Sequence, residues 1–290
     1  MKKFTILIPV YNDWDSLSKL LEEINSSIKN YSEHKFKCLI INDASTIKRS
    51  KLKVPKNISS IELINMSKNK GHARCNAFGI RHLAEKNNYD YVIIMDGDGE
   101  DRPEELKLLI DKILSDQNFS VVAKRVKRSE GPLFQMLYKL HKLLTIVSTG
   151  KNVNFGNYCC LTKNDIQTLS VKESLWSSFS GSVKLHISKL NHINSIRGLR
   201  YFGPSKMSLY NLGIHSFSII AVFKNQVFIR STILLIISSF LSSKMNLIIS
   251  AFQILLILFN LIIYIVSLRE KKEEFLNSKS NIKSIEQFLQ

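Results

Sequence analysis

Short apolar runs separated by helical patterns constrain this chain more than any other feature. Phe4–Val10, Phe36–Ile41, Ile58–Ile64 and Tyr91–Met95 are continuous, β-rich runs of strand length. Such runs read as strands buried on both faces. Between them lie helix patterns: Leu17, Leu20, Leu21, Ile24 and Ile28 share one face, and Ala73, Ala77, Ile80 and Ala84 share another. A third helix is expected from Pro103 to Leu114, and Val121–Ala123 opens a fifth strand. Strands alternating with helices build right-handed βαβ units, so the fold class is α/β, with a mostly parallel sheet flanked by helices. Ligands of such sheets bind beyond the carboxyl ends of the strands. Asp13, Asp43, Asp96 and Asp98 all fall there.

The densest chemistry lies in Asp90–Glu105, DYVIIMDGDGEDRPEE. The strand stops on Asp96, and Asp98, Glu100, Asp101, Glu104 and Glu105 follow, with Gly97 and Gly99 between. Carboxylates two residues apart at a strand mouth repel one another unless a cation sits there. Hard oxygen ligands without His or Cys favour Mg²⁺ or Mn²⁺, ions that accompany phosphorylated substrates. A solvated acidic turn opening a helix at Pro103 is the alternative reading.

The last quarter is of another kind. Met245–Leu268 holds no charge, and as a helix it would be about 36 Å long, enough to cross a bilayer. Ser231–Ser243 is uncharged but shorter, roughly 20 Å, and either spans or lies at the interface. The net charge is +17, yet the cations are dispersed and several flank the apolar runs: Lys224, Arg230, Arg269, Lys271 and Lys272. That pattern suits anionic headgroups and cytoplasmic retention rather than nucleic acid. Cys38, Cys75, Cys159 and Cys160 have no metal spacing and fit a reducing compartment.

Further along, Lys124–Arg128 is basic and Pro132–Val147 is amphipathic. Asn154–Leu161 reads as a return strand, and Trp176–Gly181 leads into a helix to about Leu190. Arg197–Lys206 is a basic loop that could grip phosphate. The expected division is residues 1–207 as a catalytic domain and 208–230 as an interfacial segment. Residues 231–268 form an anchor, with two membrane helices over 228–243 and 245–268. Residues 269–290 follow as a polar tail, helical or loose.

The order IPVYND (8–13), NDAS (42–45), NKGHARCNAFGI (69–80), DGDGEDRPEE (96–105) and RYFGPSK (200–206), then apolar anchors, resembles glycosyltransferase family 2. The likeness is to its membrane-anchored polyprenyl-phosphate, dolichol-phosphate-mannose-synthase-like branch. It implies the GT-A nucleotide-diphospho-sugar transferase fold with a C-terminal transmembrane anchor. The implied activity is transfer of a sugar from a nucleotide-diphosphate donor to a lipid acceptor, polyprenyl phosphate, with a glycan or lipid hydroxyl as the alternative. Pro9, Tyr11, Asp13, Asp43, Lys70 and Asp96 would line the donor site. Asp96, Asp98 and Glu100 would hold Mg²⁺ or Mn²⁺. Asp98, Asp101, Arg200 and Lys206 would act at the reacting centre, with Arg125 or Arg128 near the acceptor phosphate. The resemblance makes self-association an expectation and places the catalytic domain in the cytoplasm. Departures are Asp13 for Glu, Asn42 for Asp, and Asn157 where relatives carry an acid, which removes a general base.

Overall fold

The structure is a computed structural model and describes residues 1–49, 51–127, 132–204, 209–241 and 246–290. The first half alternates as expected: β1 (Lys3–Val10), α1 (Trp14–Ser27), β2 (Lys35–Asn42), β3 (Ser60–Met66), α2 (His72–Lys86), β4 (Tyr91–Ile94) and α3 (Leu106–Ser115). Then come β5 (Val121–Lys127), α4 (Pro132–Thr149), β6 (Phe155–Thr162), α5 (Lys163–Ser170), α6 (Phe179–His186) and β7 (Asn191–Ile196). The chain closes with α7 (Leu209–Ala221), α8 (Lys224–Leu241), α9 (Asn246–Ser267), α10 (Lys272–Leu276) and β8 (Ile282–Leu289).

One eight-stranded sheet results, in the order β7-β5-β6-β4-β1-β2-β3-β8. The central strands β4, β1, β2 and β3 are parallel. The return strand β6 runs antiparallel between β4 and β5. Because β1, β2 and β4 are apolar throughout, both faces need cover. α1 and α3 bury Leu17, Leu20, Ile24, Leu109 and Ile113 on one side. α2, α5 and α6 bury Phe78, Ile80, Ile166 and Phe179 on the other. The parallel strands end together, so the turns after β1, β2 and β4 meet at one edge.

Two strands were not legible. β7, NHINSI, pairs parallel with β5, in a stretch between the helix expected to end near Leu190 and the basic loop from Arg197 for which no element was expected. Its sequence alternates polar and apolar residues too weakly to announce a strand. Residues 269–290, expected as a helical or loose tail, begin with α10 but end as β8, antiparallel on β3. In β8 Ile282, Ile285 and Phe288 recur every third residue, a helical spacing. The register instead sets Glu286, its side chain 40% exposed, beside β3, where Arg49 Nη2 (2.9 Å) and Asn65 Nδ2 (2.8 Å) donate to it.

The apolar helices stand apart from the sheet. α9 belongs to a helix long and apolar enough to cross a membrane, whereas α7 and α8, bent by 83° at their junction, pass that test only as a pair. α8 and α9 form an antiparallel hairpin. Lys224 Nζ meets Glu270 Oε2 at 2.6 Å at its base, and Gln253 Nε2 donates to Ser238 Oγ at 3.0 Å nearer its tip. α4 packs on α7 and α8 instead of covering the sheet. Arg230 of α8 reaches its last turn, donating to the Val147 carbonyl at 3.1 Å. Met136, Leu140 and Leu143 of α4 remain exposed, continuous in character with Ile229, Ile233 and Ile237 of α8.

Candidate active site

The acidic turn after β4 draws a cationic side chain to each of four carboxylates. Asp96 Oδ1 lies 2.8 Å from His72 Nε2 of α2 and accepts from Asn157 Nδ2 at 3.3 Å. Asp98 Oδ2 accepts from Arg200 Nη1 at 2.8 Å, and the same guanidinium pairs through Nη2 with Asp13. Glu100 pairs with Arg197. Asp101 meets Arg125 Nη2 at 3.3 Å through one oxygen and accepts the Asp96 backbone N–H at 3.0 Å through the other.

The charges are unevenly settled. Burial tends to raise Asp96, but the His72 pair, Arg125 and Asn157 together hold it well below the ordinary carboxylate range. Burial and the Asp96 charge push Asp98 up to about 6, against the pull of Arg200. The same two causes push Asp101 up to about 7, against Arg125. His72 is raised: burial acts to lower it, and the charge of Asp96 outweighs that.

A strap over residues 197–203 is fastened to this turn by its main chain. Tyr201 N–H donates to the Asp98 carbonyl at 2.9 Å and Gly198 N–H to that of Glu100 at 2.8 Å. Tyr201 lays its ring on Gly99 and donates its hydroxyl to Glu23 at 2.5 Å. Lys19 Nζ sits 4.4 Å from the ring centroid. Gly99 has φ +90°, and a Cβ there would stand 2.5 Å from the Tyr201 ring, so both backbone and space require glycine.

The donor-side residues gather at the same edge. Pro9 is buried at the end of β1, and Tyr11 beyond it is 40% exposed. Asn12, in the left-handed region at φ 51°, ties the β1 and β2 turns together by accepting from the N–H groups of Thr46 (2.8 Å) and Ile47 (3.0 Å). Asp43 is buried, and its two oxygens accept the Lys70 and Gly71 N–H groups, each at 2.8 Å. As folded it braces the turn that opens α2. Lys70 turns its ammonium to Glu274 of α10 at 3.0 Å.

The donor set fits a hard divalent cation. Asp96 and Asp98 offer carboxylate oxygens of the kind such an ion takes, and burial together with the Asp96 charge pushes Asp98 up against the pull of Arg200. Among the described residues, however, no three His, Cys, Asp or Glu side chains are gathered closely enough to hold an ion. Glu100, expected as a third ligand, pairs with Arg197 in this structure. Asp101, expected at the reacting centre, is 3% exposed with both oxygens engaged, so it shapes the turn. Lys206 and Arg128 lie outside the described residues. Sequence reasoning missed His72, Arg197 and Glu274. His72 follows Gly71 in the segment that opens α2, and its place at a helix start facing an acidic strand end was the available signal.

A model of the family described as glycosyl transferase family 2 matches residues 5–167, more than half of the chain. The undecaprenyl-phosphate 4-deoxy-4-formamido-L-arabinose transferase of Salmonella choleraesuis (strain SC-B67) is 29% identical over 167 residues, 56% of this chain and 48% of that protein. The protein of the same name from Salmonella newport (strain SL254) is 28% identical over an equal stretch. The chain thus spans about half the length of these curated relatives. Among solved structures, S. aureus TarS 1–349 in complex with UDP-GlcNAc shares the fold with a TM-score of 0.50, at 13% identity, over 95% of this chain and 92% of that one. A mycobacterial protein matches with a TM-score of 0.50 over 78% of this chain and 75% of its own.

Proposed function

The chain belongs to glycosyl transferase family 2, and from that premise we propose that it moves a sugar from a nucleotide-diphosphate donor to the phosphate of a polyprenyl lipid. One observation carries the choice of acceptor. Beside Asp96 stands Asn157, an amide, and the next carboxylate, Asp101, is buried with both oxygens spent. A hydroxyl nucleophile needs a base within hydrogen-bond reach. A phosphate monoester, with a second pKa of about 6, is mostly dianionic at neutral pH and needs none. The relatives named for undecaprenyl phosphate transfer support the same reading.

The residues have distinct tasks. Pro9, Tyr11 and Asp13 form the wall of the donor pocket, and Asp43 keeps its floor in place through the Lys70–Gly71 turn. His72, cationic beside Asp96 at the amino end of α2, faces the donor diphosphate, which that helix end also favours. Asp96 and Asp98 would hold Mg²⁺ or Mn²⁺, with Asp98 released from Arg200. Such an ion would supply positive charge that stabilises a leaving diphosphate. Arg200, once released, is the group that meets the acceptor phosphate. The apolar faces of α4, α8 and α9 receive the lipid chain, with the sheet domain on the cytoplasmic face.

Incubation of the full chain with candidate nucleotide sugars and competing acceptors tests this. The expected product is a polyprenyl-phosphate sugar. Transfer to a lipid hydroxyl with none to undecaprenyl or dolichyl phosphate overturns the reading.

A further inference from the structure

Behind the Lys70–Gly71 turn, Arg74 and Arg269 form no ion pair with an acid among the described residues, although the charges of Glu274 and Asp43 reach Arg74. Arg74, in the first turn of α2, donates Nη1 to the Lys70 carbonyl at 2.9 Å, and its guanidinium lies 5.7 Å from the Trp176 ring centroid. The helical turn Glu173–Trp176 packs against Leu268–Glu270, the turn that carries Arg269. Arg74 Nε and Arg269 Nε are both buried without a hydrogen-bond partner. The acids nearby are committed elsewhere. Glu274 takes Lys70 Nζ at 3.0 Å and Trp176 Nε1 at 3.1 Å. Glu270 takes Lys224 at 2.6 Å. Asp43 takes two backbone N–H groups.

Two half-buried guanidiniums side by side are costly, because each carries an unpaired donor and each repels the other. Burial and the charge of Arg269 both press the Arg74 pKa downward. An anion between them relieves both costs, and the Arg fork matches a phosphate best. Position selects the source of that phosphate. Arg269 is the first charged residue after the uncharged run 245–268, so it emerges where a membrane-spanning α9 reaches the headgroups.

We infer that Arg74 and Arg269 form a binding site for the phosphate group of an anionic membrane lipid, held at the foot of α9. The inference rests on α9 lying in a membrane and is independent of sugar transfer. The site links lipid to the donor turn, since Arg74 is bonded to the Lys70 carbonyl.

Native mass spectrometry of the full chain in detergent tests it, with phosphatidylglycerol, undecaprenyl phosphate and inorganic phosphate as separate probes. One phosphatidylglycerol should be retained per chain, with its affinity falling about 10-fold or more in Arg74→Gln and in Arg269→Gln. Undecaprenyl phosphate also has the proposed acceptor site, so only the part of its retention lost in these variants reports on the arginine pair. Lys271→Gln, which alters an exposed cation next door, should bind as the parent does. Arg269→Lys keeps the charge without the fork and guards against misfolding. It should fold with the parent's unfolding temperature and bind at intermediate strength. Preference between the two lipids names a phosphodiester or a monoester as the natural occupant. Equal lipid retention by parent and both Gln variants overturns the site, and inorganic phosphate binding as tightly as lipid overturns its assignment to the membrane.

Discussion

Arg200 holds Asp98 at 2.8 Å and, through its second terminal nitrogen, Asp13, so one guanidinium spans the turns after β1 and β4. It occupies an oxygen that a divalent ion held by Asp96 and Asp98, as proposed, would need. On that proposal cation and strap compete for Asp98. Arg200→Ala is expected to raise affinity for Mn²⁺ several-fold while lowering turnover about 100-fold. Electron paramagnetic titration of free Mn²⁺ reads the first effect. An unchanged affinity would show that Arg200 does not guard the ligand.

Asp98→Asn removes a charge at a strand mouth without changing shape. Turnover should fall about 100-fold or more, and the unfolding temperature should move by only a few degrees. Near-normal turnover of the purified variant with saturating Mn²⁺ would remove Asp98 from the reacting centre.

Gly99→Ala places a methyl group against Tyr201 and strains a φ of +90°. The expected cost is about 1–3 kcal/mol, borne by the docking of the strap. Limited proteolysis should cut the variant near residues 197–203 faster than the parent. Identical digestion patterns would mean that the strap is not held by this contact.

Glu62 provides a pH test away from the site. Burial acts to raise it, but hydrogen bonds from His82 and Lys86 hold it at about 2, below its ordinary 4.5. A depressed carboxylate stabilises the fold above the ordinary value, and that stability is lost as pH falls toward 2. Glu62→Gln should therefore unfold at a lower temperature than the parent at pH 7, with the gap closing between about pH 4.5 and 2. A gap independent of pH would assign the loss to packing.

Topology follows from counting. The chain leaves the sheet after β7 and returns to it as β8, so any crossings between them are even in number. If α9 spans, a return crossing is required, and the bent α7–α8 pair is the segment that meets the length and hydropathy test for it. Reporters fused at Met1 and at Gln290 should give the same side, and opposite sides would break the β3–β8 pairing.

The sheet centre was readable because β1, β2 and β4 are apolar throughout, and burial on two faces leaves a strong periodic signal. The acidic turn was readable because Asp96 and Asp98 crowd one strand end. What stayed hidden depends on partners far along the chain. Glu286 belongs to a strand because Arg49 and Asn65 meet it across the sheet edge. Glu100 carries the same charge as Asp98, and its pairing with Arg197 depends on a residue 97 positions further along the chain. Asp101 is a surface-type residue that becomes buried once Arg125 neutralises it.

Strand β8 also sets an order of assembly. Asn65 and Glu286, bonded across the sheet edge, are 221 residues apart. During synthesis the outer edge of β3 stays unpaired until the hairpin has been made and turned back, and an open edge invites wrong pairing. Lys70 likewise waits for Glu274, which arrives with the same segment. The donor turn is thus completed last, after the apolar helices have found their place. If the hairpin inserts in a membrane, a chain in which that step fails would lack the partner of β3, so delivery to the membrane and completion of the donor turn would be a single event in the life of the protein.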